Sequence, residues 1–418
     1  MHRLECVVQQ YAWGKKGTNS VVANLKAASD KTFRVENDQP YAELWMGTHP
    51  NGPSSLADTS QLLSEWIKEN PSALGTSIGD IPYLFKVLSV NKALSIQAHP
   101  DKDAAKRLHR DFPHIYKDEN HKPEMTIAVT RFEALCQFRP MDQIIDSIQH
   151  VDELRLLVDP AVAQALVDAR DLPTLRAFFR AMIYCDPEKA KTAINTLRAR
   201  LESQRESLTP LEALVLRLNE QYPSDIGVFC PYILNYVVLE PGDAVFLGAN
   251  EPHAYLSGEC IECMACSDNV VRAGLTPKFI DKATLCEMLT YNVGSPPVCR
   301  GNALDAYLTQ YESPVPEFQV QRLGLPAKTT YNLVAAPGPS ILLVFGGHGF
   351  SVVNGKESDV ATGQVFFVPA GQAVTLTSRD ELVIFRASPN EGAASDAKLR
   401  SSRSQSLEDL TQNRRSKR

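Results

Sequence analysis

Three short segments of the chain carry side chains that could together hold one divalent metal ion. They are SIQAHP at 95–100, HKPE at 121–124 and EPHAY at 251–255. Gln97 and His99 are two residues apart, and because side chains alternate between the faces of a strand, both can point to the same side. Glu124 and His253 each follow a proline, which cannot donate to a strand ladder and therefore favours a strand end. The set carries one formal negative charge, so a bound divalent ion would stay net positive and could polarise a substrate oxygen.

Each segment is a weak signal by itself, because short motifs arise often by chance. Gln97 and His99 could be ordinary polar residues of a strand, and His253 an ordinary residue at the start of another. The weight of the set depends on the longer stretches of sequence around it.

Length and composition bound the class of protein. A chain of 418 residues suggests two or three domains. Hydrophobic content of 44% and charged content of 22% are typical of a soluble globular protein, and a net charge of -6 does not favour nucleic-acid or membrane binding. The chain has no run of about 18 apolar residues and begins MHRLE, without a secretory signal. We therefore expect a cytosolic protein with no nucleic acid, no membrane and no obligate protein partner.

The nine cysteines are odd in number and scattered, which fits reduced thiols better than a disulfide framework. Cys260, Cys263 and Cys266 are spaced like part of a zinc or iron–sulfur knuckle. A fourth nearby cysteine is missing, and strand alternation would put Cys260 and Cys263 on opposite faces. We predict buried free thiols here. Glu262, an acid inside the same apolar strand, is a candidate functional residue.

The spacing of apolar residues predicts a mainly β protein with a helical insert. Up to about Phe138 the chain reads as short strands and turns, and strands return from Ile226. Between 141 and 221 apolar residues recur at intervals of three and four, which is helix spacing, and prolines lie near the predicted helix starts. Lys86 lies inside an apolar strand, where it could snorkel from a strand edge or line a pocket.

A weak internal repeat indicates two jelly-roll barrels in tandem. The stretch ATGQVFFVPAG at 361–371 echoes PGDAVFLGA at 241–249. Eleven residues after Gly242 comes His253, whereas eleven after Gly363 comes Val374. The second barrel is therefore predicted to lack the metal ligand and to be structural.

These patterns give a predicted domain organisation. The predicted units are a catalytic barrel at 1–140 and 223–300, a helical insert at 141–222, a structural barrel at 301–388 and a tail at 389–418. The tail has too few apolar residues to fold and is predicted to be disordered. Ser406, three residues after Arg403, is a predicted phosphorylation site.

Longer stretches of the chain are similar to the type I mannose-6-phosphate isomerases, also called phosphomannose isomerases. The similarity runs in order over most of residues 5–385, and its most specific stretch is SDNVVRAGLTPKF at 267–279. Other matching stretches are 11–17, 41–50, 94–102, 121–124, 246–258 and 262–281. The resemblance implies tandem cupin barrels with an α-helical domain and a zinc-dependent enzyme with one Zn²⁺ per chain that interconverts mannose 6-phosphate and fructose 6-phosphate. It also implies that the zinc ligands are Gln97, His99, Glu124 and His253, and that Arg272 is an active-site residue.

The implied reaction moves a carbonyl between C1 and C2 of a sugar phosphate through an enediol, which needs acid and base groups and a cation near the enediol oxygens. Arg272 stays charged, so we expect it to stabilise the enediolate or shape the proton relay; a salt bridge to Asp268 is the structural alternative. Glu262 and Lys122 are the predicted proton carriers. His121 and Lys278 stay open for that role.

The phosphate needs charge-assisted donors that a net acidic chain does not supply diffusely. The predicted substrate contacts are Lys86, Ser95 and Lys278. Three further residues, Glu43, Trp45 and Tyr255, could be packing residues and receive no role.

Two other classes of function compete with the isomerase. An inactive cupin that senses a sugar phosphate would keep the fold and the metal, but the intact ligand and Arg272 segments argue against it. An iron-dependent cupin oxygenase would favour a histidine-rich site with open positions, and Gln97 argues against that.

Overall fold

The structure, a computed structural model, describes residues 1–75, 77 and 79–393. Its strands are β1 (His2–Glu5), β2 (Val7–Gln9), β3 (Lys15–Lys16), β4 (Pro40–Tyr41), β5 (Glu43–Met46), β6 (Ser55–Leu56), β7 (Tyr83–Val90), β8 (Ile96–Ala98), β9 (Glu124–Ala128), β10 (Phe132–Phe138), β11 (Leu234–Leu239), β12 (Ala244–Leu247), β13 (His253–Ala265), β14 (Val271–Gly274), β15 (Val298–Cys299), β16 (Asn302–Ala303), β17 (Leu308–Tyr311), β18 (Gln319–Leu325), β19 (Thr330–Leu333), β20 (Ser340–Gly346), β21 (His348–Val353), β22 (Lys356–Ala361), β23 (Val365–Val368), β24 (Val374–Ser378) and β25 (Leu382–Ser388). Its α-helices are α1 (Val21–Ser29), α2 (Leu63–Glu69), α3 (Lys102–Asp111), α4 (Met141–His150), α5 (Asp152–Arg155), α6 (Pro160–Ala169), α7 (Leu172–Ile183), α8 (Pro187–Ser203), α9 (Pro210–Gln221) and α10 (Lys282–Met288). The predicted phosphorylation site Ser406 and most of the predicted tail lie outside the described residues.

Eleven strands between Val7 and Cys299 form one sheet, here called the large sheet. Its longest strand, β13, pairs with β8 and β10 near its start and with β7 and β9 beyond Gly258. Gly258 has φ +108°, and a Cβ there would lie 2.4 Å from the carbonyl oxygen of Arg131, so only glycine fits this change of partners. One continuous strand thus carries both His253 and Glu262.

The helical insert lies between β10 and β11, which nevertheless pair with each other from Phe132 opposite Leu239 to Phe138 opposite Leu234. As predicted, the helices run from Met141 to Gln221, and α6, α8 and α9 each begin with proline. Their apolar faces form a core with Phe178, Leu197 and Leu218, and Ile96 and Ala98 of β8 join it. Because β8 buries these two side chains against the helices, Gln97 between them lies on the opposite face. Among the described helices, none combines the length and apolar character needed to cross a membrane.

The second half of the chain forms an eight-stranded sheet, here called the C-terminal sheet, and a four-stranded sheet. A core that includes Leu342, Phe366 and Leu376 contains residues from both sheets. Another core joins Leu343 and Phe385 of the C-terminal sheet to Ile127 of the large sheet. The fold is therefore strand-rich with a helical insertion, and its description as tandem jelly-roll barrels stays a prediction.

Two strands from the beginning of the chain belong to the C-terminal sheet. Strand β1 pairs with β23, with His2 opposite Phe367, and with β6 on its other side. The sheets therefore do not follow the predicted division at residue 301, because β1 covers an edge of β23 that would otherwise be open. The proposed domain boundaries remain a prediction.

The internal repeat is confirmed in its turns and strands. The amide of Asp243 donates to the carbonyl of Glu240 at 2.8 Å, and the amide of Gln364 donates to the carbonyl of Ala361 at 3.0 Å. A strand follows each turn, and the next strands, β13 and β24, begin at His253 and Val374. Val374 is buried and apolar, so within the described part of the chain the repeat carries a histidine at this position only once.

The prediction of strands and turns over the first 138 residues misses helices α1, α2 and α3. Helix α3 has the sequence KDAAKRLHRD, in which only alanines and one leucine could mark an apolar face. Its start is fixed by Asp101, whose side chain accepts a hydrogen bond from the amide of Ala104 at 2.8 Å. A cap and a polar exposed face leave little apolar periodicity to detect.

Glu133 connects the large sheet to the helical insert through an ion pair. It lies on β10, is 4% exposed, and forms ion pairs with Arg131 and with Arg217 of α9. Ser257 of β13 donates to the same carboxylate at 2.9 Å. Burial opposes ionisation, but these partners outweigh it and lower the pKa of Glu133 from 4.5 to about 2.

We predict that Glu133→Gln lowers the free energy of unfolding at pH 7 by about 2 kcal/mol, because the charge-assisted hydrogen bonds are lost. A lowered carboxyl pKa stabilises the protein above its unfolded value, and this stabilisation disappears as the pH falls from 4.5 towards about 2. The difference between variant and wild type should therefore shrink over that range in urea titrations of the metal-free proteins. Glu202→Gln, at an exposed pair on α8 with a separation of 3.8 Å, is the control and should change little. A constant difference from pH 7 to pH 2 would contradict the prediction.

Candidate metal centre

Three of the predicted ligands meet in the interior of the large sheet. His99 Nε2 lies 3.3 Å from Glu124 Oε1, and His253 Nε2 lies 3.3 Å from Glu124 Oε2. All three side chains are at most 3% exposed, and in the described part of the chain they form the one group of acidic, histidine or cysteine side chains close enough to share a metal. As predicted, Glu124 and His253 are the first residues of β9 and β13.

Both imidazoles present an unprotonated nitrogen to this point. His99 Nδ1 is 2.7 Å from the carbonyl oxygen of Asn269, and His253 Nδ1 is 3.0 Å from that of Glu251. Because a carbonyl can only accept, Nδ1 carries a proton in each ring, and in the neutral imidazole Nε2 then keeps a lone pair. Neither buried Nε2 atom has a hydrogen-bond partner among the described residues. Each Nε2 lies 3.3 Å from a carboxylate oxygen of Glu124. A metal cation between them could accept the nitrogen lone pairs and neutralise the carboxylate.

The electrostatics keep the histidine neutral and the carboxylate charged. Burial lowers the pKa of His99 to about 4. Burial alone would raise the pKa of Glu124, but His99, Lys122 and His253 outweigh it and hold that pKa well below its ordinary value. Neutral imidazoles and an ionised carboxylate are the forms that bind metal.

Gln97 lies beside the three ligands. It pairs with His253 on one side and with Arg272 on the other, and directly opposed residues share a sheet face. Strand β8 ends at Ala98, so His99 lies just beyond the strand that was expected to supply both ligands. The chain turns there towards Asn269, whose carbonyl holds the imidazole.

Arg272 is a half-buried cation, and in the described part of the chain its guanidinium has neither an ion-pair nor a hydrogen-bond partner. Burial lowers its pKa from the ordinary arginine value. The alternative salt bridge to Asp268 is absent among these residues, because Asp268 contacts His49 Nε2 at 3.4 Å and accepts from Asn51 at 3.1 Å. The guanidinium is therefore free to bind an anion next to Gln97.

A row of mostly polar side chains crosses the face of the large sheet to which Glu124 points. The register places Thr126 opposite Glu262, Glu262 opposite Lys86, and Lys86 opposite Trp45. Because Glu124 is two residues before Thr126 on β9, it points to this face as well. Glu262, which stood out in the sequence, thus shares a face with the predicted metal ligand Glu124.

Lys86 is buried, with Nζ 2.9 Å from Glu262 and 3.5 Å from Glu43. Burial alone would lower the pKa of Lys86, but these carboxylates raise it above the ordinary value. Lys86 therefore neither extends from a strand edge to solvent nor lines a pocket as an unpaired cation. Its charge is already matched by two carboxylates, and this argues against the predicted phosphate contact.

The other predicted residues lie at different depths. Lys122 is 12% exposed, and its Nζ lies 3.5 Å from Glu124 Oε1. Ser95 is half-buried and precedes β8, whereas Lys278 is exposed on the loop after β14. His121 is held by Glu317, whose Oε1 lies 2.7 Å from Nε2. The structure brings Lys122 to the centre and leaves Lys278 at the surface.

Tyr255 and Glu317, which have no predicted role, also lie around the centre. The Tyr255 hydroxyl lies 3.5 Å from Glu124 Oε2 and accepts from Thr126. Glu317, from the second half of the chain, contacts Lys102 at 2.8 Å as well as His121. Tyr255 has a sequence signal, since it is two residues after His253 on the same strand face. No local signal identifies Glu317.

The three cysteines do not cluster as ligands. Cys260 and Cys263 are buried in different cores, on opposite faces of β13, and all nine cysteines are free thiols. Burial raises the pKa of Cys266 to about 12. The prediction of buried free thiols is confirmed for Cys260 and Cys263, while Cys266 is partly buried.

Fold and site together define a metal-binding, strand-rich protein with a helical insertion. Models of the type I phosphomannose isomerase family match the chain, the catalytic domain at residues 1–141 and the helical insertion domain at 153–234. Mannose-6-phosphate isomerase 1 of Arabidopsis thaliana is 44% identical over 407 residues, covering 93% of this chain and 94% of the relative. The human mannose-6-phosphate isomerase is 43% identical over 411 residues, covering 92% and 97%. The chain belongs to the type I phosphomannose isomerase family.

Solved structures agree with this assignment. A mutant phosphomannose isomerase from Salmonella typhimurium superposes with a TM-score of 0.83 at 28% identity, covering 93% of this chain and 99% of that one. A zinc-bound mannose 6-phosphate isomerase superposes with a TM-score of 0.81 at 28% identity, with the same coverage.

Proposed function

We propose that the chain is a zinc-dependent isomerase that interconverts mannose 6-phosphate and fructose 6-phosphate. The main support is the centre formed by His99, Glu124 and His253, in which neither imidazole Nε2 has a hydrogen-bond partner among the described residues. The chain that carries this centre is 44% identical to a mannose-6-phosphate isomerase over 93% of its length. Arg272, whose guanidinium has no partner among residues 1–75, 77 and 79–393, lies opposite Gln97 and supports an anionic substrate or intermediate. Both rival classes of function lack a comparable observation.

The donor set fits zinc. Two neutral imidazole nitrogens and one carboxylate are common ligands of a catalytic zinc site that keeps a position open. We assign Gln97 as the fourth ligand, because it shares the sheet face of His253. Zinc, when bound, would supply positive charge and Lewis acidity beside the substrate oxygens.

The reaction transfers one hydrogen from C2 to C1 and another from the C2 hydroxyl to the C1 oxygen, through an enediol. We assign Glu262 to carrying the carbon-bound proton, because its carboxylate shares the sheet face of Glu124. Lys86 Nζ lies 2.9 Å from that carboxylate and holds it in place, and Glu43 in turn contacts Lys86. Lys122 is the second candidate for proton transfer, since its Nζ lies beside Glu124.

Arg272 stays protonated, so its role is to stabilise the negative charge that develops on the enediol oxygens. For the phosphate we retain Ser95 and Lys278 as proposed contacts. Ser95 is two residues before Gln97 and half-buried, and Lys278 lies on the loop that follows the Arg272 strand. With Lys86 committed to its two carboxylates, these two residues carry the substrate-binding proposal.

The proposal predicts turnover of mannose 6-phosphate to fructose 6-phosphate by the zinc-loaded protein. Removing the metal with a chelator should abolish turnover, and Zn²⁺ should restore it where Mg²⁺ does not, because two of the proposed ligands are imidazole nitrogens. Mannose without phosphate is the matched substrate control and should react far more slowly. No turnover by the zinc-loaded protein would refute the isomerase, and bound iron with oxygen consumption would favour the oxygenase.

We also propose that the enzyme acts in the cytosol, without nucleic-acid, membrane or obligate protein partners. All nine cysteines are free thiols, and six of them are buried. The net charge of the chain is -6. Reduced buried thiols are typical of a reducing compartment.

A further inference from the structure

A second cavity lies between the large sheet and the C-terminal sheet, away from the metal centre. It has a volume of about 410 Å³, which is in the range of small-molecule sites. Its walls include Ile127 and Ala128 at the end of β9, whose first residue is the ligand Glu124. Ile127 points to the opposite sheet face from Glu124 and lies about 10 Å further along the strand.

One positively charged side chain of the cavity wall, Arg322, has no charged partner among the described residues. Arg322 of β18 lines the cavity and is half-buried, and its guanidinium forms neither a hydrogen bond nor an ion pair with any described residue. Arg300 also lines the cavity and contacts Asp243 through Nε at 2.8 Å. None of the described lining residues is acidic, and the nearby Asp243 is paired with Arg300. No described carboxylate therefore pairs with Arg322.

The rest of the lining suits the body of a small organic molecule. Tyr311, Phe345 and Phe385 contribute aromatic surface, and the Phe345 and Phe385 rings pack edge to face at 5.6 Å. Thr309 adds a hydroxyl beside Arg322, which it faces across β17 and β18. The Tyr311 hydroxyl donates to the carbonyl of Gly242 at 3.0 Å and so fixes the wall between the two sheets.

We propose that this cavity binds a phosphate monoester that carries a planar ring. The phosphate lies on Arg322 and on the Nη donors of Arg300, which Asp243 leaves free because it contacts only Nε, and the ring lies against the three aromatic side chains. Guanidinium groups bind phosphate through paired N–H donors, and a dianionic phosphate monoester matches two arginines better than a carboxylate does. Aromatic walls add stacking surface for a planar ring. The site is independent of the isomerase reaction, and its ligand need not be a substrate.

The test uses the full-length zinc-loaded protein and adenosine monophosphate as the probe, with binding followed by calorimetry. Wild type should bind the probe with a dissociation constant below about 1 mM, and adenosine or inorganic phosphate alone should bind at least about tenfold more weakly, because each lacks one half of the recognised structure. Arg322→Met should weaken binding of the probe by at least about tenfold. Its isomerase activity should match wild type, since Arg322 does not contact the metal centre.

Two further variants make the result specific. Arg379→Met removes an exposed arginine that pairs with Asp359 at 3.1 Å outside the cavity, and it should bind the probe like wild type. Arg322→Lys keeps the charge but loses the guanidinium fork, so its affinity should lie between wild type and Arg322→Met. Failure of wild type to bind the probe, or equal binding by wild type and both Arg322 variants, would overturn the proposal even with full isomerase activity. Adenosine binding as tightly as its monophosphate would overturn it as well.

Discussion

Replacing His253 with alanine is expected to remove zinc from the protein and to lower turnover of mannose 6-phosphate by at least about 10³-fold, equivalent to about 4 kcal/mol. The imidazole offers an unpartnered Nε2 at the centre, and the Nδ1 contact to the carbonyl of Glu251 fixes its direction. No other described acidic, histidine or cysteine side chain joins His99 and Glu124 there. No such side chain can therefore replace His253 as a ligand. Zinc content per chain by elemental analysis and turnover by a coupled assay measure the two effects.

The matched control is His348→Ala. His348 lies on β21 in the second half of the chain, is 62% exposed, and contacts Asp380 at 3.2 Å. Its loss should leave zinc content and turnover unchanged. Since His253 is buried, thermal melting of the variant must first show a folded protein. A folded His253→Ala variant that retained zinc and full turnover would rule out the proposed ligand set.

The metal centre is the part of the molecule that the sequence predicts best, because its signal is local. Residue type, the spacing of Gln97 and His99, and prolines before Glu124 and His253 describe strand ends that carry ligands. The structure places Glu124 and His253 at the first residues of their strands. Only His99 differs, because β8 is one residue too short to include it.

Contacts between distant strands limited the prediction. Lys86 and Glu262 are 176 positions apart, and their pairing at 2.9 Å depends on the register of β7 against β13. A one-residue slip would turn Lys86 to the other face, so its partners could not be read from the sequence. The same reason explains why a phosphate contact was predicted for a lysine that the fold neutralises.

Features formed between the two halves of the chain gave even less signal. Glu317 reaches His121 from 196 positions away, and the cavity beside Arg322 exists only where the C-terminal sheet meets the large sheet. The helical insert behaves differently, because its period and its helix-starting prolines are local properties. Local periodicity can be read from a single sequence, whereas the packing of two sheets against each other cannot.

Replacing Arg272 with alanine is the second change with a large expected effect. We expect turnover to fall by about 10² to 10³-fold, as for the loss of one donor to a developing oxyanion, while zinc content stays at the wild-type level. The two effects separate because Arg272 neighbours Gln97 across the strands but makes no contact with His99, Glu124 or His253 that would hold the ligands. Folding should be little affected, since no described residue pairs with its guanidinium.

Arg272→Lys distinguishes the proposed role from a structural one. If Arg272 supplies positive charge to the enediolate, lysine should recover part of the turnover lost in alanine, but not all, because an ammonium lacks the planar pair of donors. A control at Arg131, which is 56% exposed at its side chain and pairs with Glu133, should alter stability and leave turnover near wild type. Unchanged turnover in Arg272→Ala would remove the charge-stabilising role. Loss of zinc together with turnover would show instead that Arg272 holds Gln97 in place.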